Sequence, residues 1–209
     1  QMEEAYALYQ ELGIRAIKSG YVGHSNEIKR RDPDTGEVIG HEWHHGQWMV
    51  RHYRKAVETA AKYGLMLDVH EPIKDTGIRR TWPNMMTREG ARGMEYNAWG
   101  RDGGNPPEHH AILYFTRMIG GPLDYTPGVF DILISSTDGS PREPEESRVR
   151  TTLAKQLALY VVLYSPLHMA CDLPENYAKY MDAFQFIKDV PTDWSETQVL
   201  HARIGDYLT

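Results

Sequence analysis

Leu67-Asp-Val-His-Glu-Pro72 decides how this chain is read. The apolar run from Leu65 to Val69 is short enough for a strand, and His70 and Glu71 stand where it stops. Further on, Thr87-Arg-Glu-Gly-Ala-Arg-Gly-Met-Glu-Tyr96 places Glu95 in a similar relation to a brief apolar step. In a chain that alternates strands with helices, a carboxylate at a strand's C-terminal end is where barrel enzymes keep their chemistry. Two or three glutamates converging on one mouth form an acid/base pair, a site for a hard metal, or both.

The flanks of that stretch supply the alternation. Met2, Ala5, Tyr9 and Leu12 have helical spacing, Gly13 stops the helix, and Ile14 to Gly20 reads as a strand. A polar loop spans 22–45, with Asp32-Pro-Asp-Thr-Gly-Glu37 as a hairpin tip. A calcium-loop reading of that tip fails, because the glycine is misplaced and Trp43 stands where a bidentate glutamate belongs. Val50, Tyr53, Val57, Ala60 and Ala61 mark a second helix ended by Gly64. Downstream, short strands are expected at Met94–Tyr96, Pro122–Tyr125 and Pro166–Ala170. Helices are expected over His110–Ile119, over Val149–Tyr164 with the clearest apolar stripe, and over Tyr177–Ile187. Residues 135–147 read as a Pro-rich loop and 192–209 as strand-like.

About five β-α units in sequence predict parallel strands and an α/β fold. Five are too few to close an eight-stranded barrel, which typically needs about 250 residues. The chain therefore reads as an open sheet or as the second half of a barrel. Both ends look cut from something longer.

Composition narrows the function. The 209 residues suffice for one substantial core, and 23 Lys and Arg against 29 Asp and Glu give a net charge of −6. That balance, with no basic stripe, argues against nucleic acid as a partner. No run is long and apolar enough for membrane insertion. The one cysteine, Cys171, reads as a small buried apolar residue. Five Trp and 13 Tyr suit sugar faces, although core packing accounts for most of them.

Several polar residues compete for a role. Glu71 is a candidate for catalysis or an exposed loop glutamate, with His70 beside it to orient it or to touch a substrate hydroxyl. Glu89 and Glu95 are separated by Gly90 and Gly93, which allow close packing around a ligand; Glu89 also reads as a surface charge paired with Arg88 or Arg92. Three carboxylates without cysteine suit Ca²⁺ better than Zn²⁺. His41, His44 and His45 read as surface or packing residues, and His109 and His110 as substrate contacts or caps. Gly103-Gly-Asn-Pro-Pro107 is no phosphate cradle, since its prolines remove amide donors.

The ordered set Lys18-Ser-Gly-Tyr-Val22, His45-Gly-Gln-Trp-Met49, Leu67–Pro72, Thr76–Asn84, Arg88–Asn97, Asn105–His109, Gly120–Gly128 and Ser165-Pro-Leu resembles family 97 of the glycoside hydrolases over nearly the whole chain. The resemblance is closest to the α-glucosidases of starch utilisation in Bacteroidetes. It implies a periplasmic enzyme with an N-terminal β-sandwich, a (β/α)8 TIM barrel and a C-terminal all-β domain. On that scheme residues 1–190 are the C-terminal half of the barrel, and 191–209 open the last domain with its first strand. The β-sandwich and the first half of the barrel are missing, together with a second base glutamate and a further calcium ligand, so this piece alone is expected to bind calcium weakly and turn over little. The loop at 25–43 is longer than the family's usual one.

The resemblance also implies a mechanism. Retaining members carry an aspartate nucleophile after the Ile-Lys pair of the strand at 14–20, where this chain has Gly20, and they lack the glutamate that is Glu71 here. Both positions match the inverting branch. Residue by residue, Glu95 resembles the general acid, and Glu71 a general base that also reaches Ca²⁺. Glu89 resembles a further calcium ligand, with Glu95 contributing, and His70 and Lys18 resemble sugar-binding residues. The expected substrate is an α-linked, starch-derived oligosaccharide. The alternatives are a retaining α-galactosidase of the same family and a catalytically incomplete carbohydrate-binding fragment.

Overall fold

The computed structural model describes residues 1–20, 27–99, 104–133 and 148–209. The chain forms two compact units, Gln1–Gly90 and Ala91–Thr209.

In the first unit, helix α1 (Met2–Glu11) runs into Gly13, whose φ of +75° lets the chain reverse into strand β1 (Ala16–Ser19). Strands β2 (Ile28–Arg31) and β3 (Val38–Glu42) form an antiparallel hairpin, as the turn chemistry predicts. At its tip Asp32 Oδ1 accepts the amides of Asp34 and Thr35, each at 2.9 Å. That carboxylate is therefore occupied by the turn.

Helix α2 (Gln47–Lys62) leads to strand β4 (Met66–Val69), and strand β5 (Met85–Arg88) follows. The three strands β1, β4 and β5 make one parallel sheet in the order β1-β4-β5. Helix α2 buries Met49, Tyr53, Ala56, Val57 and Ala60, a stripe at helical spacing. Met49, Tyr53, Val57 and Ala60 share one core with Leu65, Leu67, Val69 and Met85. Removing a side chain such as Leu67 from water contributes about 1.5–3 kcal/mol each. Asn84 ties strand to helix, its Nδ2 donating to the carbonyls of Val57 (3.1 Å) and Leu65 (3.3 Å).

Strand β5 is not among the strands expected from the sequence. Met85, Thr87 and Arg88 are all buried, so the period-two contrast that betrays a half-exposed strand is absent.

In the second unit, α3 (Tyr96–Trp99), α4 (His109–Leu113), α5 (Leu153–Val162), α6 (Pro174–Tyr177) and α7 (Met181–Asp189) are joined by turns and extended segments. Strands β6 (Ala202–Arg203) and β7 (Tyr207–Leu208) form a short hairpin inside the strand-like stretch. The core gathers Met94, Leu113, Leu123, Tyr125, Val149, Leu159 and Leu163. Thr152 caps α5, its Oγ1 accepting the Lys155 amide at 3.2 Å.

Several expectations for this unit are corrected. Met94–Tyr96 is a turn: the Met94 amide bonds to the Tyr125 carbonyl at 2.9 Å, and Asn97 Nδ2 then takes the Met94 carbonyl at 2.7 Å and starts α3. Pro122–Tyr125 is not a regular strand; its Leu123 amide bonds to the Tyr164 carbonyl at 3.1 Å. Pro166–Ala170 is irregular, because Ser165 Oγ turns back onto the Leu167 carbonyl at 2.8 Å. The helix expected over His110–Ile119 is α4 followed by a 3-10 turn at Arg117–Gly120. The loop expected at 135–147 lies outside the described residues. Among the described residues no helix is long and apolar enough to cross a membrane.

Candidate active site

The site of the first unit grows from two neighbouring strand ends. Parallel pairing sets the ends of β4 and β5 side by side, and the Glu89 amide donates to the Val69 carbonyl at 3.0 Å. His70 and Glu71 follow β4 directly, and Glu89 follows β5. His70, Glu71 and Glu89 each offer a ligand atom within 4.8 Å of the others'.

Behind them is a buried line of polar groups. Asp68 and His70, two apart on a strand, share one face. His70 Nε2 lies 3.4 Å from Asp68 Oδ2, and His70 Nδ1 lies 3.5 Å from Glu89 Oε2. All three side chains are almost wholly withdrawn from water. Two unit charges 4.8 Å apart repel by about 3–4 kcal/mol at an effective dielectric of 20. Glu71 is only half-buried, so water screens part of that cost. A cation bound there would relieve the rest, and hard oxygen donors of this kind suit Ca²⁺. The donor set therefore fits that ion, although Ca²⁺ takes 6–8 oxygen ligands and Glu71 with Glu89 supply only part of such a shell.

Glu71 has an unusual backbone. Its φ is +44°, one of two non-glycine residues with positive φ among the described residues. Such a conformation costs of order 1–3 kcal/mol and persists only where the surroundings over-determine it. They do so here from both sides. The Glu71 amide donates to Glu89 Oε2 at 3.3 Å. Its carbonyl accepts two bonds, from Tyr53 OH at 2.5 Å and from His44 Nε2 at 2.7 Å. A carbonyl cannot donate, so His44 carries its proton on Nε2.

The consequence falls on Gly20. A Cβ built on Gly20 would collide with Glu71 Oε2 and come within 3.0 Å of His70 Cβ. The Glu71 carboxylate occupies the space a side chain at position 20 would need. Lys18, two residues earlier on β1, pairs in register with Asp68 and is exposed.

Glu95 belongs to the second unit, half-buried in the turn that opens α3. That turn is braced by the 104–109 segment. The Asn105 amide donates to Asn97 Oδ1 at 2.9 Å, and Asn105 Nδ2 to the Gly93 carbonyl at 2.8 Å. His109 Nε2 bonds to the Arg92 carbonyl at 2.8 Å, which makes His109 a brace for this turn. Gly104, at φ +78°, lies so close to Asn97 that a Cβ would clash.

Sequence reasoning names His70, Glu71 and Glu89, which the first unit brings together. It gives no role at the site to Asp68, Tyr53 and Asn105, and it reads His44 as a surface or packing residue. Asp68 carried a signal, a carboxylate inside an apolar strand run. Tyr53 was hidden in a core stripe, and His44 in a loop with two exposed histidines.

Residues 1–91 match the sequence model of Glycoside hydrolase 97. The whole chain superposes with a TM-score of 0.86 on a glycoside hydrolase family 97 enzyme from Pseudoalteromonas sp. strain K8 in complex with acarbose, at 53% identity and over 30% of that chain. The chain is thus similar to glycoside hydrolase family 97, in sequence over residues 1–91 and in structure over its whole length. Another family 97 structure, a Glu-to-Gln variant from the same strain in complex with panose, is 52% identical with a TM-score of 0.86, again over the whole of this chain and 30% of that one. Among curated proteins, the chain is 31% identical over 99% of its length to the retaining α-galactosidase of Bacteroides thetaiotaomicron. It spans 28% of that relative, so the chain covers under a third of the length of the proteins it matches.

Proposed function

We propose that the full-length protein is an inverting, exo-acting, calcium-dependent α-glucosidase of starch-derived oligosaccharides, working in the periplasm. On this reading residues 1–190 are the second half of a (β/α)8 barrel, and 191–209 begin a C-terminal β domain. The observation that carries the reading is the packing of Glu71 against Gly20. A retaining mechanism needs a carboxylate nucleophile on the sugar's reacting face, and position 20 offers none. Glu71 is instead free to take a proton from water.

The chemistry balances without a covalent intermediate. Glu95 gives its proton to the glycosidic oxygen as the bond to the anomeric carbon breaks. Glu71 removes a proton from a water whose oxygen attacks that carbon from the opposite face. Inverting enzymes hold such a pair of carboxyls roughly 6.5–9.5 Å apart to leave room for the water. His70 and Lys18 bind sugar hydroxyls. Glu71 and Glu89, with Glu95 contributing, would hold Ca²⁺, which orients the carboxylates and polarises the attacking water.

The complexes of the 53% and 52% identical structures with acarbose and panose favour α-glucosides. The name of the curated relative favours a second reading, a retaining α-galactosidase. Initial rates of the full-length protein on an aryl α-glucoside and an aryl α-galactoside separate the two. Turnover of the glucoside is expected, lost to a chelator and restored by Ca²⁺. Turnover of the galactoside alone would overturn it.

A further inference from the structure

We infer that Tyr53 and His44 are positioning residues that hold the Glu71 carboxylate in its working orientation by clamping its backbone carbonyl. The inference rests on the reading of Glu71 as the general base. The two bonds act on the peptide that carries the carboxylate. The Glu71 carbonyl receives Tyr53 OH at 2.5 Å and His44 Nε2 at 2.7 Å, which uses both of its lone pairs. The two rings meet edge to face with centroids 5.9 Å apart, so each fixes the other. Tyr53 stands on the buried face of α2 and His44 is buried just ahead of that helix. The clamp is thus rooted in the core rather than in a loose loop.

Its effect is conformational. A non-glycine residue relaxes from φ +44° towards extended backbone unless something opposes it. Relaxation would swing the carboxylate away from Gly20. A shift of about 1 Å in a catalytic group is enough to cost on the order of a hundredfold in rate. The clamp also explains why Gly20 and Glu71 come as a pair: the space over Gly20 is useful only if Glu71 is forced into it.

The test compares Tyr53→Phe, His44→Leu and His44→Gln in the full-length protein, with Glu71→Gln as control. Kinetics and melting temperature are read for each. Tyr53→Phe and His44→Leu should each lower kcat by about ten- to a hundredfold with KM within about twofold. His44→Gln keeps a donor near the Nε2 position and should recover most of the loss. Melting temperatures should stay within a few degrees of the parent. If Glu71→Gln abolishes turnover while Tyr53→Phe and His44→Leu leave kcat per folded molecule intact, the clamp is wrong and the base assignment stands. A loss confined to KM, or to melting temperature, also overturns it by making the contacts merely structural. If Glu71→Gln itself keeps full kcat, the base assignment has failed and the clamp falls with it.

Discussion

Gly20 and Glu71 act as one feature written at two places in the chain. The collision a Cβ would make is chiefly with the tip of a flexible glutamate, so stability should hardly notice it while geometry should. Gly20→Ala is therefore expected to cost less than about 1 kcal/mol in folding, because the Glu71 side chain can swing aside. Its kcat should nevertheless fall at least tenfold, since the displaced carboxylate no longer addresses the same water. Chemical denaturation and steady-state rates on the same preparation check both halves. At this scale the sequence was legible only in part. Glu71, Glu89 and His70 announce themselves by standing after short strands. Tyr53 and His44 do not, because they lie 18 and 27 residues from Glu71 and their target is a backbone carbonyl, which no motif records.

Among the elements, legibility followed contrast between faces. Helix α2 and the β2–β3 hairpin follow from an apolar stripe and from turn chemistry. Strand β5, buried along nearly its whole length, carries no alternation to read. The turn at Met94 is set by the side chains of Asn97, on the Met94 carbonyl, and Asn105, on the Gly93 carbonyl, and a short apolar step cannot reveal that. Helix α4 supplies a prediction of its own. His110 is buried, neither ring nitrogen has a hydrogen-bond partner among the described residues, and its ring stands edge-on to Tyr125 at 4.7 Å. Burial, then the charge of Lys155 and the neighbouring His109, push its pKa down to about 3. The unfolded chain binds that proton below about pH 6.5 and the folded one does not, so stability falls as pH drops from 6.5 towards 3. Between pH 7 and pH 5 the loss should reach about 2 kcal/mol. Urea midpoints at the two pH values, compared with those of His110→Asn, should show a flatter dependence in the variant; parallel curves would contradict the assignment.

At the level of the whole molecule, the chain is under a third of the family 97 proteins it matches, and the function proposed is that of the full-length protein. Fold class was readable from the alternation of strands and helices. The family was readable only from many short motifs in order, none of them specific alone. The proposed mechanistic branch rests on two positions, Gly20 and Glu71, and the Glu71 carboxylate lies over Gly20. The most direct measurement is the anomeric form of the first product. Proton NMR of the full-length protein acting on an aryl α-glucoside, recorded before mutarotation, should show β-glucose appearing first. Initial release of α-glucose would contradict an inverting mechanism and, with it, the role given to Glu71.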